Sequence, residues 1–129
     1  MDEHIKKVVE KIVHIPHDFH LRKNVSEIAL VQESGYIELY NEVTEYEIIE
    51  TLKKYPHLIA EWLQWSDDCR SSFKWYFKRD DDGKCFVGHF PRDQEFEEIN
   101  TPDEFKACSA FIKREIEGTR ILITNKADH

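Results

Sequence analysis

The sequence predicts an α+β fold, with N-terminal helices, a small antiparallel meander of about three strands, and a C-terminal helix packed on the sheet. Three observations support this prediction. Apolar residues recur at helical spacing before residue 63, aromatic residues alternate with more polar ones after residue 72, and helical spacing returns after residue 103. A chain of 129 residues is long enough to bury one core. We therefore expect a single domain over residues 1–118, followed by a tail or a short edge strand over residues 119–129.

The first two helices are predicted from apolar spacing and from capping residues. The apolar face of the first comprises Ile5, Val8, Val9, Ile12 and Val13. Pro16 is expected to end this helix, since proline disfavours helical geometry in the residue before it, and a histidine-rich loop should follow. Ser26 as N-cap and Gly35 as left-handed stop then predict a short helix over Glu27–Glu33. A strand over Ile28–Val31 is the alternative.

The next helical segment has the clearest start. Thr44 and Glu47 form a capping box, in which each side chain accepts the backbone N–H of the other residue. Val43 and Ile48 stand at the two ends of a hydrophobic staple. The apolar stripe comprises Ile48, Leu52, Tyr55, Ile59 and Trp62. Pro56 interrupts it at a cost of about 3 kcal/mol. Because burial of the stripe outweighs that cost, we expect a kink or two abutting helices.

The second half of the chain predicts a meander and a final helix. The first strand places Phe73, Trp75 and Phe77 on one apolar face. The turn Asp80–Gly83 leads to a partner strand over Cys85–Phe90, and Phe96–Ile99 can add a third. Thr101–Glu104 combines an N-cap, a proline at the first helical position and a capping box. The buried stripe of the last helix comprises Phe105, Cys108, Ile112 and Ile116. Gly118 is expected to end it.

Composition indicates the compartment. The three cysteines are an odd number without CxxC spacing, which argues for a reducing environment and against a disulfide or zinc framework. No apolar run approaches the ~20 residues that span a bilayer. The acidic N-terminus lacks the pattern of a signal peptide. We therefore expect a cytoplasmic protein with no membrane contact.

The net charge of −8 is concentrated in one segment. Residues 24–68 carry ten acids and two bases, whereas the flanking segments are nearly neutral. Such a segment repels nucleic acid and anionic lipid, whose binding depends on lysine and arginine. It attracts a basic protein partner, although a merely solvated surface is the alternative interpretation.

Five phrases of the chain carry a resemblance. They are Glu33-Ser34-Gly35-Tyr36, Leu58-Ile59-Ala60-Glu61-Trp62, Trp65-Ser66-Asp67, Ser71-Ser72-Phe73-Lys74-Trp75-Tyr76-Phe77 and Ala107-Cys108-Ser109-Ala110-Phe111-Ile112. Together, over roughly residues 26–117, the chain resembles a group of small bacterial proteins with no assigned function. The resemblance implies a stand-alone bacterial domain. Small acidic bacterial proteins of this size include immunity proteins that block a basic toxin, so that class gains weight by analogy.

These observations predict a non-catalytic protein-binding domain, with an immunity- or antitoxin-like role as its most concrete form. The candidate partner-binding residues are Glu38, Glu42, Glu45, Glu61, Trp65, Asp67, Asp68 and Arg70. Trp65 lies three residues beyond Trp62 and next to a polar run, so we expect it to be half-exposed. Tryptophan and arginine near the centre of a surface are typical interface anchors.

Three histidines are candidate metal ligands, because imidazole is the commonest protein ligand for zinc and similar ions. His14, His17 and His20 recur every three residues, with Asp18 beside them. Pro16 breaks the regularity, and no HExxH or CxxC motif accompanies them. Solvated histidines in a loop are the favoured interpretation.

No catalytic constellation meets its spacing requirements. Cys85 and His89 are separated by about 13 Å along one strand, too far for a nucleophile and its base. The turn Asp80–Gly83 lacks the alternating acids of a calcium loop. We expect no catalysis and no cofactor. The alternative function is a small-molecule- or metal-binding domain, with a pocket between helices and sheet and with Trp75, Tyr76 and His89 near its mouth.

Overall fold

The computed structural model describes residues 2–68, 75–89 and 98–127, and these form seven helices and a three-stranded antiparallel sheet. The elements are α1 (Glu3–Val13), α2 (Ile15–Leu21), α3 (Glu27–Ser34), α4 (Tyr36–Leu39), α5 (Glu45–Lys54), α6 (Leu58–Asp67), β1 (Trp75–Arg79), β2 (Cys85–His89), β3 (Ile99–Thr101) and α7 (Glu104–Ala127). The α+β class is confirmed. Helix α7 lies at the centre of the fold, because it contacts all three strands as well as α1, α3, α5 and α6.

The sheet has the order β1-β2-β3, so each strand pairs with its neighbour in sequence. In the register of the two ladders, Val87 lies between Phe77 and Ile99. At the β1–β2 turn, a carboxylate oxygen of Asp80 accepts the backbone N–H groups of Asp82 and Lys84 at 3.0 and 2.9 Å. The predicted hairpin is therefore confirmed. Phe73 of the first predicted strand, Phe90 of the second and residues 96 and 97 of the third lie outside the described residues. The third strand runs over Ile99–Thr101, so the predicted end at Ile99 is wrong.

The core is aromatic at its centre. Trp62 of α6, Phe77 of β1 and Phe111 of α7 are all fully buried. The Phe111 ring centroid lies 6.0 Å from that of Trp62 and 5.8 Å from that of Phe77. The Trp62 indole N–H donates to the carbonyl of Val13 at 3.0 Å, which ties α6 to the end of α1. Aromatic packing therefore joins the helices to the sheet.

The predicted starts of α3 and α5 and the predicted end of α3 are confirmed by their caps. Ser26 accepts the N–H of Ala29 at 3.1 Å, and Gly35 ends α3 with a positive φ of 87°. Thr44 and Glu47 form the capping box of α5. The predicted N-cap of the last helix, Thr101, is wrong, because Thr101 ends β3 and Asp103 accepts the N–H groups of Phe105 and Lys106 instead. Pro56 lies between α5 and α6, so the segment is two abutting helices. Helix α4 was not predicted, because four residues are too few for a periodic signal.

The predicted histidine-rich loop is wrong. Residues Ile15–Leu21 form α2, with Pro16 at its first turn. Proline ends one helix but also starts the next, since its fixed φ suits a first turn whose N–H has no helical partner. Burial decides between the two outcomes here, because Ile15 is buried and Phe19 packs on Trp65 with ring centroids 5.2 Å apart.

The predicted end of the last helix at Gly118 is also wrong, and so is the tail or edge strand predicted over residues 119–129, as far as the structure describes it, to residue 127. Helix α7 continues to Ala127. A glycine inside a helix costs about 1 kcal/mol, which tertiary contacts beyond it can offset. Thr119 is buried, and its hydroxyl donates to a carboxylate oxygen of Glu27 at 3.0 Å. Arg120 contacts Glu117 across the glycine.

Candidate functional site

An exposed acidic segment runs from Glu38 of α4 to Tyr46 of α5, and we name it the acidic turn. The side chains of Glu38, Glu42 and Glu45 are exposed. Within the part of the chain that the structure describes, none of the three forms a hydrogen bond or an ion pair. No lysine or arginine occurs between Tyr36 and Glu50. The acidic turn therefore presents exposed negative charge, of which Glu45 also interacts electrostatically with Lys113 and Arg114.

Two exposed tyrosines accompany this charge. Tyr40 is 37% exposed and Tyr46 is 68% exposed, although tyrosine usually buries its ring in part. A shallow depression of about 430 Å³ opens beside Tyr40. Its lining consists of Tyr40, Asn41, Val43, Thr44, Glu45, Lys113 and Glu117. The acidic turn thus combines carboxylates, aromatic surface and a depression.

Lys113 of α7 fixes the conformation of the acidic turn. Its ammonium group donates to the carbonyl of Val43 at 2.7 Å and to that of Tyr40 at 3.1 Å. It also donates to the hydroxyl of Tyr36 at 2.7 Å. An ammonium group has three N–H donors, and here all three have an acceptor. The backbone of the acidic turn is therefore anchored by one side chain on α7.

Glu117 and Arg120 extend this network along α7. The buried Tyr36 hydroxyl donates to one Glu117 carboxylate oxygen, and Arg120 donates to the other from Nε at 3.0 Å. The Arg120 guanidinium also lies 3.8 Å from the ring centroid of Tyr40. A cation over an aromatic face is attracted to it, so Arg120 holds the Tyr40 ring against α7.

Burial and hydrogen bonding shift the titration of the network. Burial, together with the hydrogen bond to Glu117, raises the pKa of Tyr36 well above its usual value near 10. Burial lowers the pKa of Lys113, and the Glu117 carboxylate opposes that shift. For Glu117 burial alone would raise the pKa, but hydrogen bonds from Tyr36 and Arg120 and the charge of Lys113 lower it on balance. The network therefore keeps Tyr36 neutral and Glu117 ionised.

The raised pKa of Tyr36 predicts an alkaline loss of stability that Tyr36→Phe should remove. Between pH 10 and the folded-state pKa, the unfolded chain loses a proton that the native chain keeps. The contribution of Tyr36 is thus full below pH 10 and declines as the pH rises. We expect the free energy of unfolding to fall more steeply from about pH 9 to about pH 11 in the wild type than in Tyr36→Phe. Urea unfolding at each pH measures this, with Tyr46→Phe as the exposed control; equal slopes would contradict it.

The structure does not bring the predicted acidic residues into one cluster of charge without a hydrogen bond or ion pair. Glu61 lies on α6, with a carboxylate oxygen 3.6 Å from the His17 ring nitrogen. Asp67 and Asp68 are exposed at the C-terminal end of α6, and Asp68 accepts a hydrogen bond from Gln64 at 2.8 Å. Among the predicted acidic residues, only Glu38, Glu42 and Glu45 are exposed and have no side-chain hydrogen bond or ion pair within the described part of the chain.

The expected half-exposure of Trp65 is wrong. Its side chain is 2% exposed and is packed between Phe19 of α2 and Trp62. The histidine-rich segment forms a helix, and α2 covers the face of α6 that carries Trp65. Trp65 therefore belongs to the core and not to a surface. Arg70, the other predicted anchor, lies outside the described residues.

The three candidate metal ligands do not converge. The His14 and His17 ring centroids are 6.4 Å apart, and His14 also packs on Tyr55 at 4.7 Å. His20 packs on Phe19 instead. Among the described residues, no group of three histidine, cysteine or acidic side chains has the arrangement that holds a metal ion.

Two thiols are poorly suited to nucleophilic chemistry. Cys85 and Cys108 are buried, and burial raises the pKa of each thiol. Because the thiolate is the nucleophile, a raised pKa lowers its reactivity at neutral pH.

Sequence reasoning missed the residues that hold the acidic turn. Lys113, Glu117 and Arg120 stand at i, i+4 and i+7, a spacing that places opposite charges on one helical face. This spacing of opposite charges can be recognised in the sequence alone. The partner across the fold, Tyr36, lies 77 positions from Lys113, and no local pattern reports such a contact.

Comparisons with known protein families, with curated proteins and with solved structures found no match to this chain. In the part of the chain that the structure describes, no helix combines the length and the apolar character that crossing a bilayer requires.

Proposed function

We propose that this protein binds a basic protein partner through the acidic turn and acts without catalysis. An immunity- or antitoxin-like role in a bacterial cytoplasm is the most concrete form of the proposal. One observation carries it: within the described residues, the side chains of Glu38, Glu42 and Glu45 are exposed without a hydrogen bond or ion pair, beside the exposed Tyr40 and Tyr46.

Charge and aromatic surface have different roles in this proposal. Exposed carboxylates on a protein of net charge −8 attract a lysine- or arginine-rich surface, which accelerates association and makes it salt-dependent. Tyrosine is enriched in protein interfaces and among the residues that contribute most to affinity. In this revised surface, Tyr40 and Tyr46 take the anchoring role that the sequence assigned to Trp65.

The anchored backbone also favours binding. Lys113 holds the carbonyls of Tyr40 and Val43, and Arg120 packs on the Tyr40 ring. A surface that is ordered before binding loses less conformational entropy when the partner docks. The same contacts favour a rigid docking surface over a flexible loop that folds on its partner.

A charge-reversal pair tests the proposal. Glu38→Lys with Glu42→Lys removes two carboxylates of the acidic turn, whereas Asp81→Lys with Asp82→Lys changes the net charge equally at the hairpin. None of these four side chains forms a hydrogen bond or an ion pair within the described residues. The control therefore distinguishes an effect of where the charge lies from an effect of the total net charge.

Basic proteins captured from a lysate are purified and titrated against the wild type and both variants by calorimetry at low and physiological salt. We expect the acidic-turn variant to bind its partner about tenfold or more weakly, and the hairpin variant to bind within about twofold of the wild type. Equal weakening by both variants, or the absence of any basic partner at low salt, would overturn the proposal.

A further inference from the structure

Arg114 of α7 meets two rings at one end of the sheet. Its guanidinium carbon lies 5.0 Å from the ring centroid of Trp75. Trp75 of β1 pairs with His89 of β2 in the strand register, and their ring centroids are 4.8 Å apart. All three side chains are half-buried. A cation, an indole and an imidazole therefore share one partly sheltered place, on elements distinct from the acidic turn.

Arg114 differs from the other arginines that the structure describes. Three of the four pair with a glutamate: Arg22 with Glu33, Arg79 with Glu104, and Arg120 with Glu117. Arg114 has no ion pair or hydrogen bond with any described residue, and its Nη1 atom is shielded from solvent without an acceptor.

A buried donor without an acceptor is costly to the folded state, and most of all when it belongs to a charged group. The chain does not lack carboxylates, since it has 26 acidic residues against 18 basic ones. Burial lowers the pKa of Arg114, and the more distant Glu45 only partly opposes that shift. The fold therefore keeps a positive charge in a place that disfavours it, with a donor directed at no acceptor of the described chain.

We propose that Arg114, Trp75 and His89 form a binding site for a carboxylate, independent of the partner surface. A guanidinium presents paired N–H donors that match the two oxygens of a carboxylate. Protein sites for phosphate groups usually gather several arginines, whereas this one has a single arginine in a strongly acidic protein. A monoanion therefore fits better than a dianion. The Trp75 ring, against which the His89 ring packs, offers apolar surface for the body of the ligand.

Because Nη1 is shielded, an entering carboxylate must shift the guanidinium against the Trp75 ring. Trp75 is thus the natural reporter, since Trp62 and Trp65 are buried elsewhere in the core. The probes are sodium acetate, sodium hexanoate and sodium phosphate, with sodium chloride at matched ionic strength as reference. The readout is the indole N–H signal of each tryptophan in nitrogen-15 NMR spectra, assigned with single Trp→Phe variants.

We expect a saturable shift of the Trp75 signal with acetate and a tighter one with hexanoate, while the other two indole signals stay in place. Arg114→Lys keeps the charge but loses the paired donors, so it should weaken binding about tenfold or more. Arg114→Met should abolish saturation without loss of thermal stability, because it removes an unpartnered buried donor. Arg79→Gln, at the opposite end of β1, should bind as the wild type does.

Two further probes distinguish a free carboxylate from the end of a peptide chain: acetylated tetra-alanine with a free C-terminus and the same peptide with an amidated C-terminus. If the peptide with the free C-terminus binds more tightly than hexanoate and the amidated peptide does not bind, the ligand is the end of a peptide chain. If hexanoate binds more tightly than the peptide, the ligand is a free acid. A shift no larger than with chloride for every carboxylate, tighter binding of phosphate, or unchanged binding by Arg114→Lys would each overturn the site. None of these results bears on the acidic turn.

Discussion

Trp62→Phe is expected to lower the free energy of unfolding by about 2–4 kcal/mol, and Trp65→Phe by about 1–2 kcal/mol. The two indoles are both buried, lie one turn apart on α6, and lose the same volume on substitution. They differ in one respect. The Trp62 N–H donates to the Val13 carbonyl, whereas the Trp65 N–H is buried without an acceptor among the described residues.

The comparison isolates a hydrogen bond from the packing around it. Trp62→Phe leaves the Val13 carbonyl without its hydrogen-bond donor. Trp65→Phe removes an N–H group that has no acceptor among the described residues, so no hydrogen bond is lost. Urea unfolding followed by far-ultraviolet circular dichroism measures both, since the helices of the fold dominate that signal in both variants. Equal losses in the two variants, or a larger loss for Trp65→Phe, would show that the hydrogen bond from Trp62 to Val13 contributes nothing measurable to stability.

Local signals predicted most of the fold. Ser26, Gly35 and the Thr44–Glu47 box act within one or two helical turns, so their effect can be recognised from the sequence alone. The alternation around Trp75 and the turn at Gly83 also act locally, and they predicted the hairpin. Where the deciding interactions lie within a few residues, sequence and structure agree.

Prediction failed where distant contacts outweighed a local signal. Gly118 is a typical helix stop, but Thr119 beyond it is buried and donates a hydrogen bond to Glu27 of α3, so α7 continues. Pro16 is a typical helix end, but burial of Ile15 starts a new helix there. In both places the local preference is worth about 1–3 kcal/mol, which a few tertiary contacts can exceed.

The candidate site was predicted in part for the same reason. The acidic character of residues 38–45 follows from composition, and the structure leaves those carboxylates exposed. The anchor was misassigned to Trp65 because its exposure depends on α2, whose formation was not predicted. The unpartnered state of Arg114 depends on neighbours from β1 and β2, so no spacing rule within α7 reports it.

Lys113→Met is expected to lower the free energy of unfolding by about 2–4 kcal/mol. Methionine has a side chain of similar length, so the apolar stem is largely kept while the charge and all three donors are lost. The carbonyls of Tyr40 and Val43 and the hydroxyl of Tyr36 then each lose a donor. Glu117 keeps its ion pair with Arg120, so its carboxylate stays paired and the loss of free energy of unfolding is limited.

Lys53→Met is the matched control. Lys53 lies on α5, where its ammonium group is 3.5 Å from Glu50 and its side chain is 56% exposed, against 24% for Lys113. An exposed pair of this kind contributes little, so the control should stay within about 0.5 kcal/mol of the wild type. Amide hydrogen exchange over residues 40–44 should accelerate in Lys113→Met alone, because those residues lose their attachment to α7. If the two variants cost the same and exchange alike, Lys113 does not hold the acidic turn, and the rigid docking surface proposed for the partner loses its structural basis.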